Sequence, residues 1–222
     1  MSRREDKNSP PAKSKSPSNS QNGQSGVSRR AFLKSAGAGA AGLTAASVLD
    51  LTALAQQKGG AKVIGPGAVP VTLNVNGRAR QMNIEPRTTL ADALRIDLGL
   101  TGTKIVCDRG SCSACTVWLD KTPVCSCLTL AIDAAPHKVT TIEGLASGEQ
   151  LHPVQAAFIE HDALQCGFCT PGMIMSCAAL VEHNPNPTLE DVKMATSGNI
   201  CRCGTYPKVF DATLAAAKAR RA

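Results

Sequence analysis

Two short runs, Gln165-Cys166-Gly167-Phe168-Cys169 and Ile200-Cys201-Arg202-Cys203-Gly204, decide how the C-terminal half of this chain must fold. Together they place four cysteines as C-x2-C, a gap of 31 residues, then C-x-C. Two thiols one turn apart and two separated by a single residue cannot sit on one regular helix. They read as two loop-borne half-sites that long-range folding closes on one inorganic centre.

A second quartet lies upstream at Cys107, Cys112, Cys115 and Cys127. Its first three members follow C-x4-C-x2-C, the plant-type ferredoxin spacing for a [2Fe-2S] cluster. Gly110, Ser111, Ser113 and Ala114 between them are small, so backbone N–H groups can approach cluster sulfurs closely. Spacing alone leaves the fourth position open, because Cys125 and Cys127 share a face if Val124 to Leu130 is a strand. Cys177 falls on the apolar stripe of a helix and reads as a buried small hydrophobe.

With both motifs in this order, the chain resembles the small iron-sulfur subunit of the molybdenum hydroxylases, the xanthine dehydrogenase and aldehyde oxidoreductase family. Residues 94 to 104 (Leu-Arg-Ile-Asp-Leu-Gly-Leu-Thr-Gly-Thr-Lys), Cys107 to Val117, Gln165 to Gly172 and Gly198 to Lys208 carry the likeness, which runs from about Val71 to the C-terminus. The resemblance implies two [2Fe-2S] clusters, one on Cys107, Cys112, Cys115 and Cys127, the other on Cys166, Cys169, Cys201 and Cys203. It selects Cys127 through the Ser126-Cys127 pair. It also implies that Gln165 and Cys203 approach the pterin of a molybdopterin cytosine dinucleotide held by a large partner subunit. Electrons would enter at the second quartet and leave through the first toward a subunit carrying FAD, in a heterotrimer. Two departures from the family pattern are Ser113, where glycine is usual, and the order Cys203-Gly204-Thr205-Tyr206.

Competing uses of ten cysteines fit less well. A disulfide scaffold does not explain two cluster spacings. Zinc ribbons favour paired C-x2-C knuckles, and a Rieske centre needs histidines that His137, His152, His161 and His183 do not supply in Cys-x-His pairs.

Working outward, the pattern before the first quartet is an alternation, Val71, Leu73 and Val75, then Asn76-Gly77, then Ala79 to Ile84. That is a hairpin signal. Leu90, Ala93, Leu94 and Leu98 follow at helical spacing, and further strands are expected at Thr116 to Leu119, Val124 to Leu130 and Lys138 to Ile142. After Gly148 the period turns helical, with stripes at Val154, Ala157 and Phe158, at Ile174, Cys177, Ala178 and Val181, and at Phe210, Thr213, Leu214 and Ala217; a capping-box pattern stands at Thr188 to Asp191. The expected fold is α+β, with a β-grasp ferredoxin-like [2Fe-2S] domain at 71–147 and an all-α four-helix [2Fe-2S] domain at 148–222.

The N-terminal quarter has a different composition. Residues 1–27 are rich in Ser, Pro, Asn, Gln and Lys and are expected to be disordered. Ser28-Arg29-Arg30-Ala31-Phe32-Leu33-Lys34 reads as a twin-arginine export motif, followed by a weakly apolar run to Leu54 and a cleavage site after Ala55. That run carries Gly, Ser, Thr and Asp50, too polar for a permanent membrane anchor. Segment 1–55 is thus the signal region and 56–70 a linker, and the mature protein is expected in the periplasm, exported folded and loaded by the twin-arginine machinery.

The net charge of +7 is misleading, since residues 1–55 hold eight Lys or Arg against three Asp or Glu, and the remainder 16 against 14. A nearly neutral folded part gives no case for nucleic acid. No Gly-rich dinucleotide loop is present, so no catalytic residue is assigned here; substrate and flavin belong on partner chains. The expected role is electron transfer in an exported aldehyde oxidoreductase, with an N-heterocycle enzyme of the isoquinoline or nicotinate type, or a free-standing soluble ferredoxin, as alternatives.

Overall fold

The structure, a computed structural model, describes residues 64–221 together with Ser28 and Arg30. The expected export motif falls almost wholly, and the cleavage site at Ala55 and most of the linker fall entirely, outside the described residues. Among those residues no helix is long and apolar enough to cross a membrane.

The first half is built on the hairpin β1 (Val69–Val75) and β2 (Arg78–Ile84). Its turn forms because Asn76 (φ 51°) and Gly77 (φ 74°) both accept the left-handed backbone that a two-residue hairpin needs. The strand starts before Val71, as Val69 already pairs with Ile84. Val71, Leu73 and Val75 alternate inward, and one short helix, α1 (Leu90–Asp92), continues as a π-helical turn over Ala93–Asp97. Thr89 caps it by accepting from Asp92 N at 3.1 Å. Then come β3 (Thr116–Leu119), β4 (Thr122–Cys125), α2 (Ala131–Ala134) and β5 (Lys138–Thr140). The sheet order is β2-β1-β5-β3-β4, with β1 and β5 parallel and the other pairs antiparallel. Leu73, Leu90, Leu94, Val117 and Val139 fill the core beneath the helical segments.

One expected strand is shorter than its apolar run suggests. β4 stops at Cys125, and the chain turns there, with Leu128 N donating to Cys125 O at 3.0 Å. Ser126 causes the break, because both its N–H and its hydroxyl donate to Cys115 O, at 3.3 and 2.7 Å. The last expected strand likewise ends at Thr140, and Ile142–Gly144 is a 3-10 turn.

The second half is helical: α3 (Pro153–Glu160), α4 (Thr170–His183), α5 (Leu189–Ala195) and α6 (Tyr206–Ala219). Prolines at 153, 171 and 207 sit in the first turns, where no donor is wasted. Thr188 and Asp191 form the expected reciprocal capping box. Phe158, Met173, Met175, Val181 and Val209 pack with Cys177 into one core. Burial pushes the Cys177 thiol up to about 12, as expected of an inert core thiol. The α+β order, ferredoxin-like sheet and then helices, is as the sequence implies.

Candidate metal centres

The sheet and the helices are joined where the cysteines lie. Trp118 on β3 reaches into the helical core, and its Nε1–H donates to Met175 O on α4 at 2.9 Å. Gly172 at the start of α4 lies against the first cysteine loop so closely that a Cβ there would stand 2.3 Å from Ser113 O. Across the same seam Ile200 N donates to Cys112 O at 3.1 Å, and Asn199 Nδ2 to Ser113 O at 3.3 Å. The two cysteine loops are therefore hydrogen-bonded to each other.

The first loop owes its shape to backbone conformation. Asp108, Gly110 and Ser113 all have positive φ, at 53°, 71° and 52°. Successive turns of this hand aim N–H groups into a concavity suited to anions. Ser111 N donates to Cys107 Sγ at 3.2 Å, and Gly110 N to Cys127 Sγ at 3.3 Å. Cys112, Cys115 and Cys127 are buried, and Leu128 folds over Gly110, where any side chain would collide with it. The Cys107 thiol is lowered to about 7, first by the Arg109 N–H, then by the Cys112 thiol. Burial does the reverse to Cys127, pushing it up to about 12, with Cys115 adding to the effect.

Behind this loop Arg95 gathers two carbonyls, Thr101 O at 2.8 Å and Thr103 O at 2.6 Å. Glu143 ties the same stretch to the turn after β5: its Oε1 accepts from Gly102 N at 2.8 Å and its Oε2 from Thr141 Oγ1 at 2.6 Å. The hydroxyl of Thr103 is buried there without a partner among the described residues.

The second quartet is assembled by side chains and helix ends. Cys166 and Cys169 occupy the turn between α3 and α4, and Cys201 and Cys203 the turn before α6. The Tyr206 hydroxyl bridges the latter, accepting from Cys201 N at 2.8 Å and donating to Asn199 O at 2.9 Å. Burial pushes against ionisation of Cys201, yet the hydroxyl and N–H of Thr205, with the Cys169 thiol and the Gly204 N–H, together outweigh it and bring the thiol down to about 7. Cys169 goes up to about 12 through burial and its contact with Cys201. Cys166 and Cys203 are exposed and touch each other.

Sulfurs thus meet in pairs: 107 with 112, 115 with 127, 169 with 201, 166 with 203. Among the described residues no three His, Cys, Asp or Glu side chains converge on one point. Pairwise convergence suits a binuclear centre, in which each iron takes two thiolates. Three histidines are engaged away from these loops: His137 with Asp120 at 2.6 Å, His183 with Ala179 O at 2.7 Å, and His152 capping α3.

Gln165 and Cys203 come together. Both line one open cleft with Thr205, and its rim carries an ion pair between Asp162 and Lys208. Sequence reasoning had no sign of the bracing by Tyr206, Gly172, Asn199, Arg95 and Glu143. Arg95, Gly172, Asn199 and Tyr206 do fall within the motif-bearing stretches, whereas Glu143 lies outside them.

Comparison with known proteins agrees with this architecture. Residues 73–138 match the family described as "2Fe-2S iron-sulfur cluster binding domain", and residues 141–214 the family described as "[2Fe-2S] binding domain". The aldehyde oxidoreductase iron-sulfur-binding subunit PaoA of Escherichia coli O157:H7 is 44% identical over 162 residues, covering 66% of this chain and 71% of that protein. The nicotine 6-hydroxylase small subunit of Paenarthrobacter nicotinovorans is 49% identical over 146 residues, 66% of this chain and 88% of that one. In the crystal structure of quinoline 2-oxidoreductase from Pseudomonas putida 86, one chain superposes with a TM-score of 0.67 at 45% identity, covering 69% of this chain and 96% of that chain.

Proposed function

Because the chain belongs to the small iron-sulfur subunits of the molybdenum hydroxylases, we propose that it conducts electrons from a molybdopterin site on a large partner subunit toward a FAD-binding subunit. It is a subunit of an oxidoreductase complex, with no substrate site of its own. Cys107, Cys112, Cys115 and Cys127 would hold one [2Fe-2S] centre, and Cys166, Cys169, Cys201 and Cys203 the other. Bound there, such a centre supplies one-electron storage with every iron position taken by sulfur.

The observation that carries the reading is the seam: two loops of paired thiols, joined through Ile200 N and Cys112 O, with one of them opening at Gln165 and Cys203 onto an exposed cleft. In this reading Gln165 and Cys203, which line that cleft together, would meet the pterin. N–H groups of Gly110 and Ser111 hold negative sulfur in the first loop, and Tyr206 keeps the Cys201 backbone in place in the second.

The reading favours a complex over a free shuttle, since Val106, Phe168 and Ile200 beside the cysteine loops are each more than half exposed. Such apolar surface near a site marks a protein interface. Aldehyde oxidation to carboxylic acid is the proposed overall reaction, on the likeness to the Escherichia coli subunit. An N-heterocycle hydroxylation is the second reading, favoured by the 49% identity to the nicotine 6-hydroxylase subunit.

Export to the periplasm through Arg29 and Arg30 completes the proposal. Anaerobically purified protein should carry about four irons per chain and elute with its large partner on gel filtration. Elution alone would support the shuttle, and colourless, iron-free protein would end the account. Replacing Arg29 and Arg30 by Lys should leave the whole complex in the cytoplasm; unchanged export of the large subunit refutes the export reading.

A further inference from the structure

Leu128 is 66% exposed, yet the chain around it is pinned. Its N–H donates to Cys125 O at 3.0 Å, and the Thr129 hydroxyl donates to the same oxygen at 3.2 Å. Thr129 O in turn accepts from Leu90 N at 2.7 Å. A single surface leucine is ordinary and calls for no role. This one is set apart by what its unexposed third covers. It fills the space that a Cβ on Gly110 would take, with Leu128 Cδ1 standing 2.4 Å and Cγ 3.2 Å from that position.

Gly110 carries the N–H that donates to Cys127 Sγ at 3.3 Å, a direct bond to one of the sulfurs assigned to the first centre. The residues on either side of it, Arg109 and Ser111, are both exposed. Water therefore lies close to this bond along the loop, while Cys127 itself is only 5% exposed. Leu128, next in sequence to Cys127 and packed on Gly110, is the apolar group at that boundary.

We infer that Leu128 is a water shield for the first centre: it keeps solvent off the Gly110 N–H and the Cys127 sulfur, and so holds that centre's reduction potential down. It acts through Gly110, as a positioning residue, and the inference rests on the ligand set proposed above. A centre held by four thiolates is more negative when reduced, so water nearby favours the reduced form. An apolar cover that limits solvent access does the opposite, and this is one of the means by which proteins set such potentials.

The test uses the full-length protein, loaded and as purified, with iron counted in every sample. A redox titration followed by electron paramagnetic resonance reads both centres, and hydrogen exchange read by mass spectrometry follows the peptide around Gly110. In Leu128→Ala the first midpoint should rise, the second should stay, and the Gly110 peptide should exchange faster, with iron held at about four per chain. Leu128→Asn, polar and of similar size, should give the same rise. Leu128→Met keeps an apolar cover and should leave the midpoint at the wild-type value. An unmoved or lowered first midpoint in Leu128→Ala overturns the inference, and so does an equal rise of both midpoints. A Met variant shifted as far as the Ala variant also overturns it, since apolar cover would then not be the cause. Loss of the first centre's iron in both Leu128→Ala and Leu128→Asn would make Leu128 a support of the cysteine loop and end the proposal. Wild-type protein without iron overturns the ligand set instead, a failure visible before any variant is made.

Discussion

The two cysteine loops reach similar ends by different routes. In the first, three cysteines come from nine consecutive residues, and left-handed backbone at Asp108, Gly110 and Ser113 does the shaping. In the second, half-sites 31 residues apart meet only after α3, α4 and α6 have packed, and a tyrosine hydroxyl holds the result. Burial differs as well, since Cys112, Cys115 and Cys127 are inside while Cys166 and Cys203 are exposed. A site made from local turns depends on its own strand ladder. A site made from helix ends depends on the whole helical core.

That contrast is most severely tested by Phe158→Ala. Phe158 is fully buried among the helices, so the truncation should cost about 3–5 kcal/mol. The second centre's resonance signal should vanish while the first persists. Simultaneous loss of both would show the loops to be one unit. Gly172→Ala comes next, because its Cβ would press on the Ser113 carbonyl, and overpacking of this kind costs about 1–3 kcal/mol. Here both signals should broaden, as the glycine sits between the loops, and thermal unfolding should come earlier.

Tyr206→Phe removes one hydroxyl and leaves Cys201 N and Asn199 O without their partner, at about 1–3 kcal/mol. Only the second centre's iron should become labile to a chelator. Equal lability at both sites would contradict the division drawn here.

The smallest effect is a pH dependence confined to the helical half. His152 caps α3 by accepting from Val154 N at 3.2 Å through Nδ1, so a proton on that nitrogen cancels the cap. Burial lowers its pKa below 6.5; Glu182 opposes the shift and Arg220 assists it. With the folded value depressed, the unfolded chain binds the proton more readily, and stability should decline as pH falls below about 6.5. In denaturant melts at pH 7.5 and 5.5, His152→Asn, which retains a capping oxygen, should lose less stability than wild type. Parallel losses would remove His152 as the source.

What the sequence reveals follows the same division. The first loop, the hairpin at Asn76-Gly77 and the capping box at Thr188 could be read directly, because each is specified by neighbours within a few residues. The extent of β4 could not. Val124 to Leu130 is apolar enough for a strand, and only the bonds from Ser126 to Cys115 O, eleven residues away, end it. Gly172 has no local signature because the Ser113 carbonyl that explains it lies across the seam, and Tyr206 has none because Cys201 N and Asn199 O are brought to its hydroxyl only by the turn before α6. The choice between Cys125 and Cys127 stayed open on spacing alone for the same reason. It depends on which face of Gly110 each sulfur meets.

The chain has a single tryptophan, and it is bonded across the joint between sheet and helices. Emission excited selectively at the indole therefore has one source, located where the halves meet. A red shift in that emission reports water reaching the indole bonded to Met175 O, so one optical trace can time the parting of the halves without any attached dye.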